Sequence, residues 1–575
     1  MKRSNTFLVT FLAFLTSAFI LTNSSFAQLV GGNTYPINGV QNPPTSFRDV
    51  VAAVAYLTTN GVTGTGEVVL ELSPGYPGDT TQINILPITG TSSTLGVTFR
   101  PAAGYTALTQ MLGAASPNQH AINLAGCNYV TLDGRAGGVG TSRDWTVKVT
   151  GTNGQMAVRL NNTTGSMTGI NIRYLNMVGE AGNTTGAVFQ MTGNTTNTMS
   201  NIIVEGNYIT STADTSIRTR GYGITVASAS NIGNTGVIIR NNEITDFFAR
   251  GINHTGGFPG ILYYGNLIYH TKPITMPTTT EFSGYYFSTT ASAGAEIYNN
   301  FIYGIQLTNG STAINGLYLF NGNTSGNSIK IYNNRIAFGS QLAATPGALP
   351  VYGLRENAVS GSLIDIYYNS VYISGDVASG TNVSAAFRKQ ASNFLNLKNN
   401  IFYNARTSTG GTGSNYAIMI NNTTLSGIGN NDYYADGVNA VLGTTDGLTS
   451  GNQTTLAGWV SVVTADGGSV SQNPHYLAPT AAIPDLKLDP TIGSQLESGG
   501  TPIAGITTDF EGDTRNVTTP DIGADEYNGI PLDLVAPTIS VTTIGNQSNT
   551  TSFSITANIT DLSGIDTAAN APRLY

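Results

Sequence analysis

Residues 328–338 read SIKIYNNRIAF, and this stretch decides the fold. Ile329 and Ile331 alternate with Lys330 and Tyr332, the period of two that marks a half-buried strand. Asn333 and Asn334 break the alternation, and Ile336 and Phe338 resume it. Asparagine tolerates the left-handed backbone that tight turns need, so the segment reads strand, turn, strand. The same order (apolar, any, apolar, two residues, Asn, any, apolar) recurs at Ile202-Val204-Asn207-Ile209, Val237-Ile239-Asn242-Ile244 and Ile261-Tyr263-Asn266-Ile268. It continues at Ala295-Ile297-Asn300-Ile302, Ile329-Ile331-Asn334-Ile336, Ile364-Ile366-Asn369-Val371 and Leu395-Leu397-Asn400-Phe402. Successive asparagines lie 35, 24, 34, 34, 35 and 31 residues apart. Copies without the asparagine precede them at Ile170-Ile172-Leu175-Met177, Val130-Leu132 and Val97-Phe99.

A further short apolar run lies between copies, often after glycine, as in Gly223-Ile224-Val226, Gly316-Leu317-Leu319 and Gly353-Leu354. Each repeat therefore carries three short strands separated by Gly, Ser, Thr and Asn turns. Strands this short are not stable alone, but a chain that winds so each repeat lies on the previous one buries every inner face. The expected fold is all-β, a right-handed parallel β-helix over residues 34–527. About ten rungs at about 4.8 Å give a rod of roughly 50 Å. A short helix over 46–59 is expected to cap the N-terminal end. Thr45 or Ser46 would be its N-cap, with Phe47, Val50, Val51, Val54 and Leu57 on one face and Asn60-Gly61 as the stop.

If rungs stack in register, equal offsets from each asparagine form columns. The residues three before it point inward, so those two before it point outward. The outward column reads Glu205, Arg240, Tyr264, Tyr298, Tyr332, Tyr367 and Lys398. Four consecutive tyrosines, Tyr264, Tyr298, Tyr332 and Tyr367, are the candidate carbohydrate-binding residues, because aromatic faces suit the apolar face of a sugar ring while the phenol stays wet. The competing reading is an aromatic ladder that only stabilises stacking. Four before the asparagine, Glu296, Lys330 and Asp365 alternate in charge. A second aromatic column, three after it, holds Tyr269, Tyr303, Ala337, Tyr372 and Tyr403.

The chain resembles the right-handed parallel β-helix proteins of bacterial surfaces, whose fold is that of the pectate lyases. Beyond the repeats, the resemblance rests on TSFRDVVAAVAYLTTNGVTGTGEVVLEL within residues 35–76, NYVTLDGRAGGVGTSRDWTV at 128–147, and TDFEGDTRNVTTPDIGADEY at 508–527. The last resembles the closing rung of many such proteins. The family includes polysaccharide lyases and hydrolases, so the resemblance speaks for the fold and hardly for an activity.

The ends of the sequence give an address. Lys2 and Arg3 precede an apolar run, and Ser25-Phe26-Ala27 ends it, so residues 1–27 read as a secretory signal peptide cleaved before Gln28. No later run is long and apolar enough to span a membrane. Residues 528–537 read as a linker. Residues 538–575, with APTISV and ITDLSGID, resemble the first strands of an immunoglobulin-like sandwich, too few to close a core. The parent chain is therefore expected to continue.

Composition excludes several classes. Of 575 residues, 24 are Lys or Arg and 32 Asp or Glu, a net charge of −8 that repels nucleic acid. One cysteine, Cys127, excludes a disulfide framework and is expected to be a small buried apolar residue. Catalytic constellations are weak. Asp133, Arg135, Arg143 and Asp144 form the densest charged group and read as a structural loop. His254 and His270 are two ligands where zinc wants three or four. Asp509, Glu511 and Asp513 alternate like oxygen ligands for calcium, but Thr514 and Pro520 break the EF-hand pattern and Arg515 sits close enough to neutralise them. No cofactor and no catalytic residue is expected, with calcium the one alternative. The expected function is an exported, monomeric cell-surface protein that binds or displays on extracellular polysaccharide or the cell envelope. A polysaccharide lyase or glycoside hydrolase and a structural adhesin are the alternatives.

Overall fold

The computed structural model describes residues 27–105, 108–112, 120–150, 156–179, 186–211, 221–228, 233–274, 281–307, 312–322, 326–339, 349–359, 361–377, 379–391, 394–421, 425, 427–445, 451–532, 537–542, 545 and 555–560. Three sheets run the length of the rod. The first has thirteen strands, from Thr34–Ile37 to Gly427–Gly429, and the second eleven, from Leu108–Leu112 to Asp432–Ala435. The third has thirteen, from Ile83–Ile85 to Asn452–Gln453. Every strand pairs in parallel with its counterpart one rung on, save the antiparallel Asn452–Gln453. The chain is a parallel β-helix. It has thirteen rungs in the first sheet rather than the expected ten, because Thr34–Ile37, Val68–Leu72 and Gly427–Gly429 lack the full repeat pattern yet stack in the same sheet.

The inward column is as read from sequence: Val204, Ile239, Tyr263, Ile297, Ile331, Ile366 and Leu397 are all fully buried. Facing them, the third sheet contributes a column of glycines that makes room for the second sheet's branched residues. A Cβ on Gly316 would lie 2.6 Å from Ile336 Cγ2, and one on Gly353 would lie 2.2 Å from Val371 Cγ1.

The asparagines form a continuous amide ladder at the turn between the first and second sheets. Each Nδ2 donates to the next Oδ1, at 2.9 Å for Asn207 to Asn242 and 3.0 Å for Asn300 to Asn334. The same Oδ1 also accepts the preceding asparagine's main-chain N–H, as Asn334 Oδ1 does from Asn300 at 3.1 Å. The ladder runs on to Asn431, one rung past the sequence pattern. The left-handed residue is not the ladder asparagine itself but the one before it: Asn241, Asn299, Asn333, Tyr368, Asn399 and Asn430 have φ between 52° and 59°.

Both ends are capped by helices. Helix α1, Val50–Asn60, starts later than expected, because Asp49 is the N-cap and accepts from Ala52 N at 2.6 Å. Phe47 lies before the helix, bridged to Ile37, and Val51 turns outward while Ala53 and Tyr56 are buried instead. Gly61 stops the helix, donating to Leu57 O at 2.8 Å. Helix α2, Leu456–Val462, capped by Thr455, was not foreseen. It places Trp459, fully buried, against Tyr433 and bonds its indole N–H to Asp466 at 2.7 Å.

Gly467 and Val470 bridge Gly429 and Asp432 in parallel as a partial last rung, and residues 471–531 add no further one. They fold back along the flank of the second sheet, beginning with the antiparallel pair Tyr476–Ala478 and Asp485–Leu488. The row of left-handed residues holds them. Asn430 Nδ2 donates to Gly499 O at 3.0 Å, Asn399 exchanges two bonds with Thr501 at 2.7 and 3.0 Å, and Asn333 Nδ2 donates to Thr508 O at 2.8 Å. Ile522, Leu486, Leu488 and Leu496 pack onto Ile401, Tyr372 and Tyr403.

Farther on, Thr538–Val541 pairs antiparallel with Ala557–Thr560, both largely exposed. The expected signal peptide lies outside the described residues apart from Ala27. No described helix is long and apolar enough to cross a membrane.

Candidate functional site

Tyr264, Tyr298, Tyr332 and Tyr367 stand in one column in direct register on the outer face of the first sheet, each half-buried. The rings of Tyr264, Tyr298 and Tyr332 stack on one another, with centroids 4.8 and 4.7 Å apart and planes within 14° and 2°. Their faces are therefore spent on each other, and what the column turns outward is ring edge and phenol oxygen. Arg240 closes one end, bonding Tyr264 Oη at 2.8 Å. Tyr332 donates to Glu296 at 2.9 Å. The neighbouring column is in register as read, with Lys330 Nζ 3.4 Å from Glu296, while Asp365 accepts from Ser328 and from Asn396 at 2.7 Å. Burial, then the nearby Tyr264 and Glu296, pushes the Tyr298 phenol up to about 12, and burial with the adjacent carboxylates raises Tyr332 and Tyr367 further. Tyr298, Tyr332 and Tyr367 are therefore neutral donors and acceptors at physiological pH.

Toward the N-terminal end the same outward column becomes a ladder of alternating charge, of which Glu205 and Arg240 were read from sequence and the earlier rungs were missed. Arg100 sits 3.2 Å from Glu71, Arg173 3.0 Å from Asp133, and Arg240 2.5 Å from Glu205. Its first rungs lack the reference asparagine, so no offset could be counted. Asp133 also holds Arg135 at 2.8 Å; burial works to raise its carboxyl, and the bonds from Arg135 outweigh that and lower it. Asp144 caps its own loop, accepting from Ala136 N and Ser142. Asp133, Arg135 and Asp144 are thus structural. Arg143 departs from them: it crosses to Gly206 O and to Glu243, both at 2.7 Å.

Arg143 and Glu243 line a cleft of about 490 Å³ at the end of the tyrosine column, together with Asn241, Asn242, Tyr264, Gly265, Leu267, Asn299 and Phe510. Glu243 also accepts the phenol proton of Tyr269 at 2.5 Å, so both its oxygens are engaged. It is the one carboxylate among the described lining residues. Glycoside hydrolysis by paired carboxylates needs a second.

The remaining candidates resolve into structure. The second aromatic column faces outward, but the returning segment covers it: Tyr303, Tyr372 and Tyr403 are buried. His254 and His270 are separate core residues. His254 bonds Tyr263 Oη at 2.6 Å and Ser292 Oγ at 3.0 Å, and burial holds its pKa down to about 3. His270 pairs with Gln306, and burial lowers it to about 4. Cys127 is buried, which pushes its thiol up to about 12.

The acidic group gathers Asp509, Glu511 and Asp525 within 4.8 Å, with Asp513 outside it. Its counter-charge is Arg335, which grips Glu511 at 2.5 and 2.8 Å and reaches Asp525 at 3.5 Å. Asp509 accepts three main-chain N–H groups, from Gly512, Asp513 and Glu526. Arg515, the partner expected from sequence, instead pairs with Glu526 at 3.1 Å and lies over the Tyr368 ring at 3.9 Å.

No family model and no curated protein matches the chain. Among solved structures, it is similar to a GH136 lacto-N-biosidase from Eubacterium ramulus, with TM-score 0.34, 9% identity and 66% of this chain covered. The similarity spans 65% of that enzyme's length. It is also similar to PfbA, a surface adhesin of Streptococcus pneumoniae (TM-score 0.30, 10% identity, 74% of this chain and 94% of that one). A third is the tailspike protein of E. coli bacteriophage HK620, solved with a pentasaccharide (TM-score 0.26, 10% identity, 72% and 78% covered). At this distance the likeness is one of chain winding.

Proposed function

We propose that this chain is an exported surface protein that binds an extended extracellular polysaccharide along the outer face of its first sheet, without cleaving it. The observation that carries this reading is the uninterrupted column Tyr264, Tyr298, Tyr332 and Tyr367, half-exposed and spaced at the sheet repeat. Because the rings stack face to face, the contact runs through phenol oxygens and ring edges, with Arg240, Glu296 and Lys330 beside them offering further hydrogen-bond partners. A row of neutral donor–acceptors at a regular spacing suits a polymer of repeating hydroxyls. The signal peptide, the monomeric state and an immunoglobulin-like start after residue 537 belong to the same reading.

The test replaces all four tyrosines with phenylalanine, which keeps the stack and deletes the hydroxyl edge. On a glycan array the mature wild-type chain retains polysaccharide and the fourfold variant loses it. Retention unchanged in a folded variant removes the column from the site. A parallel absorbance assay for unsaturated products is expected to stay flat; a rise would make the protein a lyase.

A further inference from the structure

We propose that the cleft at the N-terminal end of the tyrosine column is a subsite for an uncharged pyranose unit; this rests on the reading of the column as a polysaccharide track. Tyr264 belongs to both, so a polymer lying on the column runs directly into the cleft.

Three observations fix the class of ligand. The first is charge. Arg143 and Glu243 are paired at 2.7 Å, and the remaining described lining residues are uncharged. A uronate or sulfated sugar would meet a guanidinium already neutralised and a carboxylate that repels it, whereas a neutral sugar meets no such cost. The second is shape chemistry. Leu267 is 38% exposed and lines the cleft together with Phe510, whose ring is backed by the Arg335 guanidinium 4.4 Å from its centroid. An apolar patch next to amide, carboxylate and guanidinium groups matches a pyranose, with its apolar C–H face and its rim of hydroxyls. The volume of about 490 Å³ falls within the range of small-molecule sites.

The third is the turn row. Asn299, Asn333 and Asn399 spend their amides on the main chain of the returning segment. That segment turns back at Phe510, so Asn241, which holds the same turn position, presents its amide to the cleft rather than to that segment. The row that clamps polypeptide over the later rungs is left to hold ligand here, and Gly265 between them keeps the approach open: a Cβ there would lie 2.2 Å from Asn241 Oδ1.

The experiment measures binding of cellohexaose, maltohexaose, chitohexaose and hexagalacturonate by calorimetry. The proteins are wild type, Leu267→Trp, which fills the cleft, Asn241→Ala, which removes an amide without adding bulk, and the fourfold Tyr→Phe column variant. Circular dichroism confirms folding. The expected result is that one of the neutral hexaoses binds and hexagalacturonate does not. Leu267→Trp should weaken that binding at least tenfold and Asn241→Ala severalfold. If the column variant weakens binding while both cleft variants leave it unchanged, the cleft proposal is overturned and the column stands. If the cleft variants weaken it and the column variant does not, the cleft stands and the column falls. Hexagalacturonate binding as tightly as the neutral sugars overturns the uncharged class. Binding of none of the four overturns both. If Leu267→Trp fails to fold, Asn241→Ala decides.

Discussion

Replacing Asn334 with alanine tests the ladder where it is best surrounded. Asn334 is fully buried. Its Nδ2 donates to Ile297 O at 2.8 Å, Tyr332 O at 3.1 Å and Asn369 Oδ1 at 2.9 Å, and its Oδ1 accepts from Asn300 N and Nδ2. Alanine leaves the Asn300 main-chain N–H without its acceptor and takes a donor from the Ile297 carbonyl. Asn300 Nδ2 retains Tyr263 O and Tyr298 O, Asn369 Oδ1 retains Asn334 N, and Tyr332 O retains Asn299 N, so the damage is confined to two groups. At about 1–3 kcal/mol for each buried polar group left unpaired, the loss over two groups is about 2–6 kcal/mol. Asn334→Asp is isosteric yet should cost at least as much, because an acceptor would then face three acceptors, Ile297 O, Tyr332 O and Asn369 Oδ1, in a buried site. Guanidinium unfolding followed by far-ultraviolet dichroism gives the energy, and hydrogen exchange gives the place. The Asn300 amide should lose protection first. A variant within about 0.5 kcal/mol of wild type, with the Asn300 amide still protected, would refute the claim that the ladder's side-chain bonds hold the rungs.

Trp459→Ala should cost about 3–5 kcal/mol, the usual range for a fully buried tryptophan, and raise exchange in Ala440–Thr444, which the cap covers. Doubly substituting Asn333 and Asn399 with alanine should leave the dichroism spectrum intact while speeding proteolysis within residues 499–527; unchanged cleavage would mean the amides do not hold that segment. Acid should act in two directions. His254, depressed to about 3 by burial, contributes stability that is full above about pH 6.5 and is lost as pH falls toward 3, so wild type should lose midpoint below pH 6 and His254→Gln should lose less. Asp525 is raised to about 6 by burial, so its contribution is full below about pH 4 and is lost as pH rises through 6; proteolysis of the returning segment should accordingly be slower at pH 5 than at pH 8.

The rungs, their register and the inward column were legible because each side chain's facing follows from its distance to one asparagine. Ile331 and Tyr332 needed no more than that count. What escaped had no such reference. The charge ladder from Glu71 to Arg173 lies on rungs without the asparagine, and the pairing of Arg335 with Glu511 joins residues 176 apart. The second cap did have a signal, with Leu456, Trp459, Val460 and Val463 at helical spacing after Thr455, but it is only seven residues long. The tyrosine column was found, yet its chemistry was not. Period and offset say that a ring points outward, whereas the face-to-face packing of Tyr298 between its neighbours depends on rung spacing and on rotamers.

A stack of repeats ordinarily behaves as a one-dimensional lattice, in which each rung feels only the next and the end frays one unit at a time. The returning segment changes that arithmetic. Asn430, Asn399, Tyr368, Asn333 and Asn299 sit on five successive rungs, and all five bond the stretch from Gly499 to Phe510. It works as a splint across a set of stacked coins. Unwinding the last rung requires prying the splint off its neighbours, so the C-terminal third should melt as one block while the unsplinted N-terminal rungs keep the graded fraying of a simple solenoid.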